Sequence, residues 1–392
     1  MRIARVLTRL NLGGPARQVL ASDPLLAQRG HTLRIFCGTP QAGEGDLFDE
    51  VRRAGLDVVR VAGLKRGIAP ASDLMARRRL KRMILEFNPD ILHTHASKAG
   101  TLGRQAVRGQ EHIGRVHTFH GHVLRGYFPE AISARLVAHE RALAKETDRI
   151  LAVSHATADD LVELGVTDEE QLVVVPPGIE MQDLLAIPRQ VGCAGDSAVR
   201  RRLGLAPTDF LVGVVGRLAE VKRPTRAIEV FRTLSERYPQ LHLVFVGDGE
   251  ERRALEKRIG ELPEAEVARV HMLGAVENMT EIWTGLDAVL LVSRSEGLPV
   301  CLIEAAAAAV PAVAEAVGGV EEVVAHERTG FVGGEVTELA FGLSQLMDSP
   351  EEALGMGQRA RLRARSSFSA DRLADRLEGV YEAVREERRC AS

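Results

Sequence analysis

The sequence predicts an α/β protein built from two Rossmann-like domains, each a parallel sheet covered by helices on both faces. Three observations carry this. Short apolar runs alternate with longer segments of helical period along nearly the whole chain. The alternation breaks once, in the proline- and glycine-bearing stretch from about 176 to 209, and then restarts. The 392 residues suffice for two cores of ordinary size.

In chain order, the short apolar runs near 3–8, 32–37, 56–61, 90–94, 115–119, 149–153 and 172–175 read as buried strands. Segments 14–29, 71–87, 131–146 and 155–164 carry apolar residues at helical spacing between them. After the break, DFLVGVVGRL opens a second series that continues at 241–246, 269–273, 287–292 and 311–314. The tail, 370–388, is an amphipathic helix with apolar positions at 373, 377, 380, 381 and 384. Domain boundaries are expected at 1–185 and 186–369, with 370–392 as a separate helical tail. In such sheets ligands bind at the carboxyl ends of the strands, which here predicts a cleft between the two domains.

Composition narrows the function classes. With 45% hydrophobic and 27% charged residues and a formal net charge of −3, nothing draws the chain to nucleic acid. Cys37, Cys193, Cys301 and Cys390 are scattered without CxxC spacing, which argues against a zinc ribbon or a disulfide framework. The first residues alternate like a strand and lack the apolar core of a signal peptide, and no apolar run is long enough to span a bilayer. The expectation is a soluble cytoplasmic protein. The basic run RRRLKRM at 77–83 reads either as a solvated helix face or as a contact to the inner face of a membrane.

Several stretches carry candidate chemistry. Gly13 and Gly14 follow the first strand and precede a helix, where backbone N–H groups receive an anion or merely form a tight turn. Neither this loop nor VGDGEER at 246–252 satisfies G-x-G-x-x-G, so NAD binding is rejected. His93, His95, His117, His120 and His122 cluster near two strand ends, with no HExxH and no Asp, Glu or Cys completing a metal set. Such clustering fits a binding cleft better than a metal cage. His120 stands out because Gly121 after it permits close backbone approach.

In the second domain, Arg217 and Lys222 lie just past a strand and suit a diphosphate, Arg as a planar fork and Lys as a point charge. The alternative is a solvated loop. Gly318 and Gly319 lead into a helix and either offer N–H groups to a phosphate or form a left-handed turn. In SRSEGLPVCLIEA, Pro299 is expected as the first helical residue and Pro311 as the stop. Glu296 then lies before the helix and Glu304 within it, so the two do not share a face as an acid/base pair.

Taken together, Gly13-Gly14, His120-Gly121, VSHAT at 153–157, PPGIE at 176–180, GRLAEVK at 216–222, VGDGE at 246–250, EGLPVCLIE at 296–304 and AVGGVEEVV at 316–324 resemble, in order, the family 4 glycosyltransferases. These are retaining enzymes of the GT-B fold, and the likeness, of bacterial type, covers nearly the whole chain. It implies two Rossmann-like domains facing a cleft, with the C-terminal helix crossing back to the first. Glu304 would bind the nucleotide ribose, while Glu296 with Gly297, Leu298, Pro299 and Val300 would hold the donor sugar. Arg217 and Lys222 would neutralise the leaving diphosphate, helped by Gly318 and Gly319, and Gly13 and Gly14 would contact the phosphate or acceptor from the first domain. His120 would sit near the sugar.

SKAGTLGRQA at 97–106 looks like a bacterial subgroup pattern, making Lys98 and Arg104, with His122, candidates for the acceptor side. The implied partner is a nucleoside-diphosphate sugar, UDP favoured over GDP, used without metal or cofactor. The acceptor is a sugar, a lipid-linked glycan or a small molecule. A sugar-nucleotide epimerase of the same fold and a non-catalytic partner subunit are the alternatives.

Overall fold

The computed structural model describes residues 1–11, 13–41, 45–67, 69–121, 124, 129–189 and 197–390. It divides into two compact units, Met1–Glu180 with Ser369–Ser392, and Met181–Phe368.

The first unit holds seven strands: β1 Arg2–Leu7, β2 Thr32–Cys37, β3 Asp57–Arg60, β4 Ile91–His95, β5 Gly114–Phe119, β6 Arg149–Ala152 and β7 Leu172–Val174. Their spatial order is β3-β2-β1-β4-β5-β6-β7, and every pair is parallel. The second unit holds β8 Phe210–Val215, β9 Leu241–Val246, β10 Val270–Gly274, β11 Ala288–Leu291, β12 Ala312–Glu315 and β13 Gly330–Gly333, ordered β10-β9-β8-β11-β12-β13. Both sheets are thus doubly wound, reversing direction beside their first strand. In such parallel sheets a crevice opens at that reversal.

Successive residues of a strand face opposite sides, and the first sheet's chemistry follows from this. Ala4, Val6 and Leu92 pack under the Pro70–Phe87 and Ser97–Ala106 helices. On the other face, Ile3, Ile91, Val116 and Leu151 meet Leu373, Leu377, Val380, Tyr381 and Val384 of the Ala370–Cys390 helix. The tail is therefore part of the first core, as the family resemblance implies, and each buried leucine contributes roughly 1.5–3 kcal/mol. PPGIE is where the chain returns. A Cβ on Gly178 would sit 2.5 Å from the Ser369 carbonyl oxygen, and the Ala370 N–H donates to the Ile179 carbonyl at 3.0 Å. Only a glycine lets the two backbones approach so closely.

Three elements depart from the sequence reading. The Ser97–Ala106 helix is not marked by apolar period, because Gly100 and Gly103 stand where His117 and Thr94 would meet a Cβ at 2.5 and 2.6 Å. Strand β13 is a four-residue GFVG whose glycines hide it. The helix after Pro299 runs Val300–Ala307, so Pro299 is its N-cap rather than its first residue. It ends before Pro311 because Ala309 turns left-handed at φ 53°. No helix among the described residues is long and apolar enough to cross a membrane.

Candidate active site

In the second unit the loops after β8, β11 and β12 converge at the point where the strand order reverses. The loop after β8 is a single turn, Glu220–Lys222, ended by Arg223 at φ 45°. Its shape is imposed by its neighbour, because the Leu218 N–H donates to the Asp248 carbonyl and the Glu251 N–H to that of Leu218, at 3.0 and 2.9 Å. The VGDGE segment thus braces the cation-bearing loop.

Lys222 and Glu296 meet at 2.5 Å, the lysine side chain about a third exposed and the carboxylate nearly buried. Arg217 stands in the open, 3.3 Å from both oxygens of Glu250. Glu304 is buried on the Val300–Ala307 helix. Burial pushes the Cys301 thiol up to about 12, with Lys222 pulling it down and Glu296 and Glu304 pushing it further up. That thiol therefore stays protonated at neutral pH and marks the point around which these three charges gather. Leu298 is buried, and the Arg294 N–H donates to the Val221 carbonyl at 2.8 Å, tying the Glu296 loop to the Lys222 turn.

Gly318 adopts φ 51°, and a Cβ there would fall 1.8 Å from the Glu296 carbonyl oxygen. The Gly319 N–H donates to the Gly297 carbonyl at 3.1 Å. This corrects the expectation that Gly319 offers its N–H to a phosphate: the glycines clamp the Glu296 loop instead. Two residues the sequence reading missed support the site from below. Arg223 donates to the carbonyls of Val292 and Ser293 at 3.0 and 3.1 Å and pairs with Glu315 at the end of β12; Arg226 reaches the same carboxylate at 3.3 Å. An arginine in the left-handed region after a lysine gives no periodic signal.

In the first unit Gly13 caps the Gly14–Gln28 helix, whose first turn has no carboxylate and whose cap has no side-chain hydrogen bond. Beside it, at the β1/β4 reversal, lies the histidine cluster. Arg5 is buried against Asp23 at 2.5 Å. Its Nη1 lies 3.0 Å from His93 Nδ1 and 3.3 Å from His95 Nε2. His93 also meets the Tyr381 hydroxyl at 2.6 Å and Thr118 Oγ1 at 2.7 Å, and His95 Nδ1 lies 3.0 Å from His120 Nε2. Burial, followed by neighbouring cations and imidazoles, holds His93, His95 and His117 well below the usual histidine range. Burial and then Arg5 push His120 down to about 3.

The cluster is accordingly not the cleft wall that the sequence suggested. His93, His95 and His117 are interior residues, and among the described residues of the cluster only half-buried His120, followed by Gly121 at φ 98°, reaches the strand-end surface. Among the described residues no group of three His, Cys, Asp or Glu could hold a metal ion. Arg104 is likewise not at a surface an acceptor could reach: it is buried, with its guanidinium on Glu140 at 2.6 Å and on the Gly100 carbonyl. Lys98 is tied to Asp73 at 2.6 Å and to the Gly67 carbonyl. His122 lies outside the described residues.

Residues 12–183 match the family described as Glycosyltransferase Family 4, and residues 196–363 match Glycosyl transferases group 1. A D-inositol 3-phosphate glycosyltransferase of Nocardia farcinica is 27% identical over 402 residues, covering 95% of this chain and 85% of the relative. The Escherichia coli UDP-Gal:alpha-D-GlcNAc-diphosphoundecaprenol alpha-1,3-galactosyltransferase is 24% identical over 385 residues, covering 97% and 96%. Among solved structures, Anabaena HepE in complex with UDP and glucose superposes with a TM-score of 0.81 at 20% identity, covering 98% of this chain and all of that one.

Proposed function

We propose that this chain, which belongs to the family 4 glycosyltransferases and is a glycosyltransferase of the GT-B type, uses a UDP-sugar as donor, transfers with retention and needs no metal. The observation that carries this is the half-open cation pair, Arg217 and Lys222, assembled with Glu296 and buried Glu304 at the second unit's strand reversal. Breaking the bond between a sugar and a nucleoside diphosphate develops charge on the leaving phosphate. Two fixed cations stabilise that charge where it appears, which is the task a metal performs elsewhere.

Glu304, an acceptor-only carboxylate when ionised, takes two hydrogen bonds from a ribose diol. Glu296 is pinned by its loop and by Lys222, so it serves the hydroxyls of the donor sugar. The family resemblance assigns His120 to the reacting end of the sugar, and that assignment is part of the proposal. The UDP preference draws support from the relatives whose names and bound ligands include UDP.

A thermal-shift panel of UDP-, GDP- and ADP-sugars tests the donor, with EDTA present throughout. Stabilisation by UDP-sugars at 100 times Kd is about 2.7 kcal/mol in the native state. A protein shifted only by GDP-sugars, or only after metal is restored, overturns the donor or the metal-free reading. An epimerised donor without transfer, read by NMR, replaces the transferase reading by the epimerase one.

A further inference from the structure

We infer that His95, oriented by the buried Arg5–Asp23 pair, locks His120 as a neutral imidazole with its proton on Nδ1, so that His120 works as a hydrogen-bond donor and not as a general base. The inference rests on the assignment of His120 to the reacting sugar and deepens it.

A guanidinium carries five N–H donors and no acceptor. Arg5 Nη1 faces His93 Nδ1 at 3.0 Å and His95 Nε2 at 3.3 Å, so both nitrogens present lone pairs. The second nitrogen of each neutral ring then carries the proton. For His93 this puts Nε2–H on Thr118 Oγ1, 2.7 Å away, an oxygen able to accept it. The Tyr381 hydroxyl, from the C-terminal helix, lies 2.6 Å from the same Nδ1 and shares its single lone pair with Arg5. For His95 it puts Nδ1–H on His120 Nε2, 3.0 Å away. His120 must therefore accept at Nε2, and its proton resides on Nδ1.

The opposite arrangement places a proton on His95 Nε2 against an Arg5 N–H, with two donors facing one another in a buried site. A protonated His120 fails for the same reason, since its Nε2–H would need a lone pair that His95 Nδ1 lacks. The groups facing this array are Arg5 from β1, His93 and His95 from β4, His117 from β5, Asp23 from the Gly14–Gln28 helix and Tyr381 from the Ala370–Cys390 helix. Asp23 balances Arg5, so any further proton adds an uncompensated buried charge. With Nε2 engaged, the ring meets substrate oxygen through Nδ1–H, a donor suited to a sugar hydroxyl or to oxygen gaining negative charge.

The test is long-range 1H–15N correlation on full-length protein labelled in histidine, from pH 5 to 8, with assignment by His120→Gln. The expected result is a single neutral Nδ1–H tautomer for His120 across the range. An Nε2–H tautomer, or titration near pH 6.5, overturns the inference. In His95→Phe, His120 should titrate as an ordinary imidazole, and kcat for transfer should fall about tenfold at pH 5.5 relative to pH 8, with KM little changed. An unaltered pH profile and kcat in this variant also overturns it.

Should that variant not fold, Arg5→Met combined with Asp23→Leu removes the donor and its counter-charge together. His120 should then populate both tautomers, and retention of Nδ1–H alone would show that Arg5 does not set it. The tautomer is read without turnover. Loss of the transferase assignment with the tautomer as inferred therefore counts against the function alone.

Discussion

The two units share one topology and place charge at the same point of it, yet they use that charge in opposite ways. At the β1/β4 reversal Arg5 is fully buried, bonded to Asp23 and surrounded by neutral histidines. At the β8/β11 reversal Arg217 and Lys222 keep side chains about half and a third exposed, Arg217 against Glu250 and Lys222 against Glu296. A charge sealed in the interior is committed to the fold, because removing its partner leaves an uncompensated ion. A charge at a half-open rim can exchange its carboxylate for a ligand phosphate at little cost. The first arrangement positions a residue; the second waits for a substrate.

The largest effect that would break this contrast lies in the first unit. Arg5→Met strands the Asp23 carboxyl in the core and should cost about 3–5 kcal/mol of stability, measured by urea unfolding. A loss below about 1 kcal/mol would mean that the pair is not committed to the fold. Next comes the second unit, where Arg217→Ala with Lys222→Ala should weaken UDP-sugar binding by about 100-fold or more. Calorimetry checks it, and unchanged affinity would sink the assignment of these cations to the donor diphosphate.

Acid sharpens the contrast at intermediate size. His93, His95 and His117 are held well below an unfolded value of 6.5. Groups depressed in this way contribute stability that is whole above about pH 6.5 and is lost as pH falls below it, since the unfolded chain binds the extra protons. In the second unit His271, pushed down to about 4, and His242 behave likewise but are only partly buried. Urea midpoints followed from pH 7 to 4 should therefore drop, with His95→Phe reducing the slope. The smallest effect belongs to Glu250→Ala, which removes the exposed partner of Arg217. Stability should change by about 0.5 kcal/mol or less, while donor affinity holds or rises.

Much of the candidate site was legible in the sequence because its pieces are local. Glu296, Pro299 and Glu304 lie within one loop and the helix it enters, and Arg217 and Lys222 within one strand-end turn. The reading fell short where a residue's duty depends on a distant partner. Arg104 looked like an acceptor contact until Glu140, thirty-six positions away, was seen to hold it in the interior. Gly319 looked like part of an anion nest, yet its N–H is taken by the Gly297 carbonyl at 3.1 Å.

By itself, the sequence determined the alternation of strand and helix, the break between the units and the amphipathic tail. These follow from short apolar runs, the helical period of 3.6 residues and a cluster of prolines and glycines, which any short window reveals. It also carried Arg5 between Ala4 and Val6 of the first strand, a charge that local patterning cannot interpret. Only the tertiary structure decided what that charge does, because Asp23, His95 and Tyr381 reach it from two helices and a neighbouring strand. Tyr381 meets His93 across 288 positions of chain. Periodicity reports which way a side chain faces, whereas the identity of what it faces is fixed by packing alone.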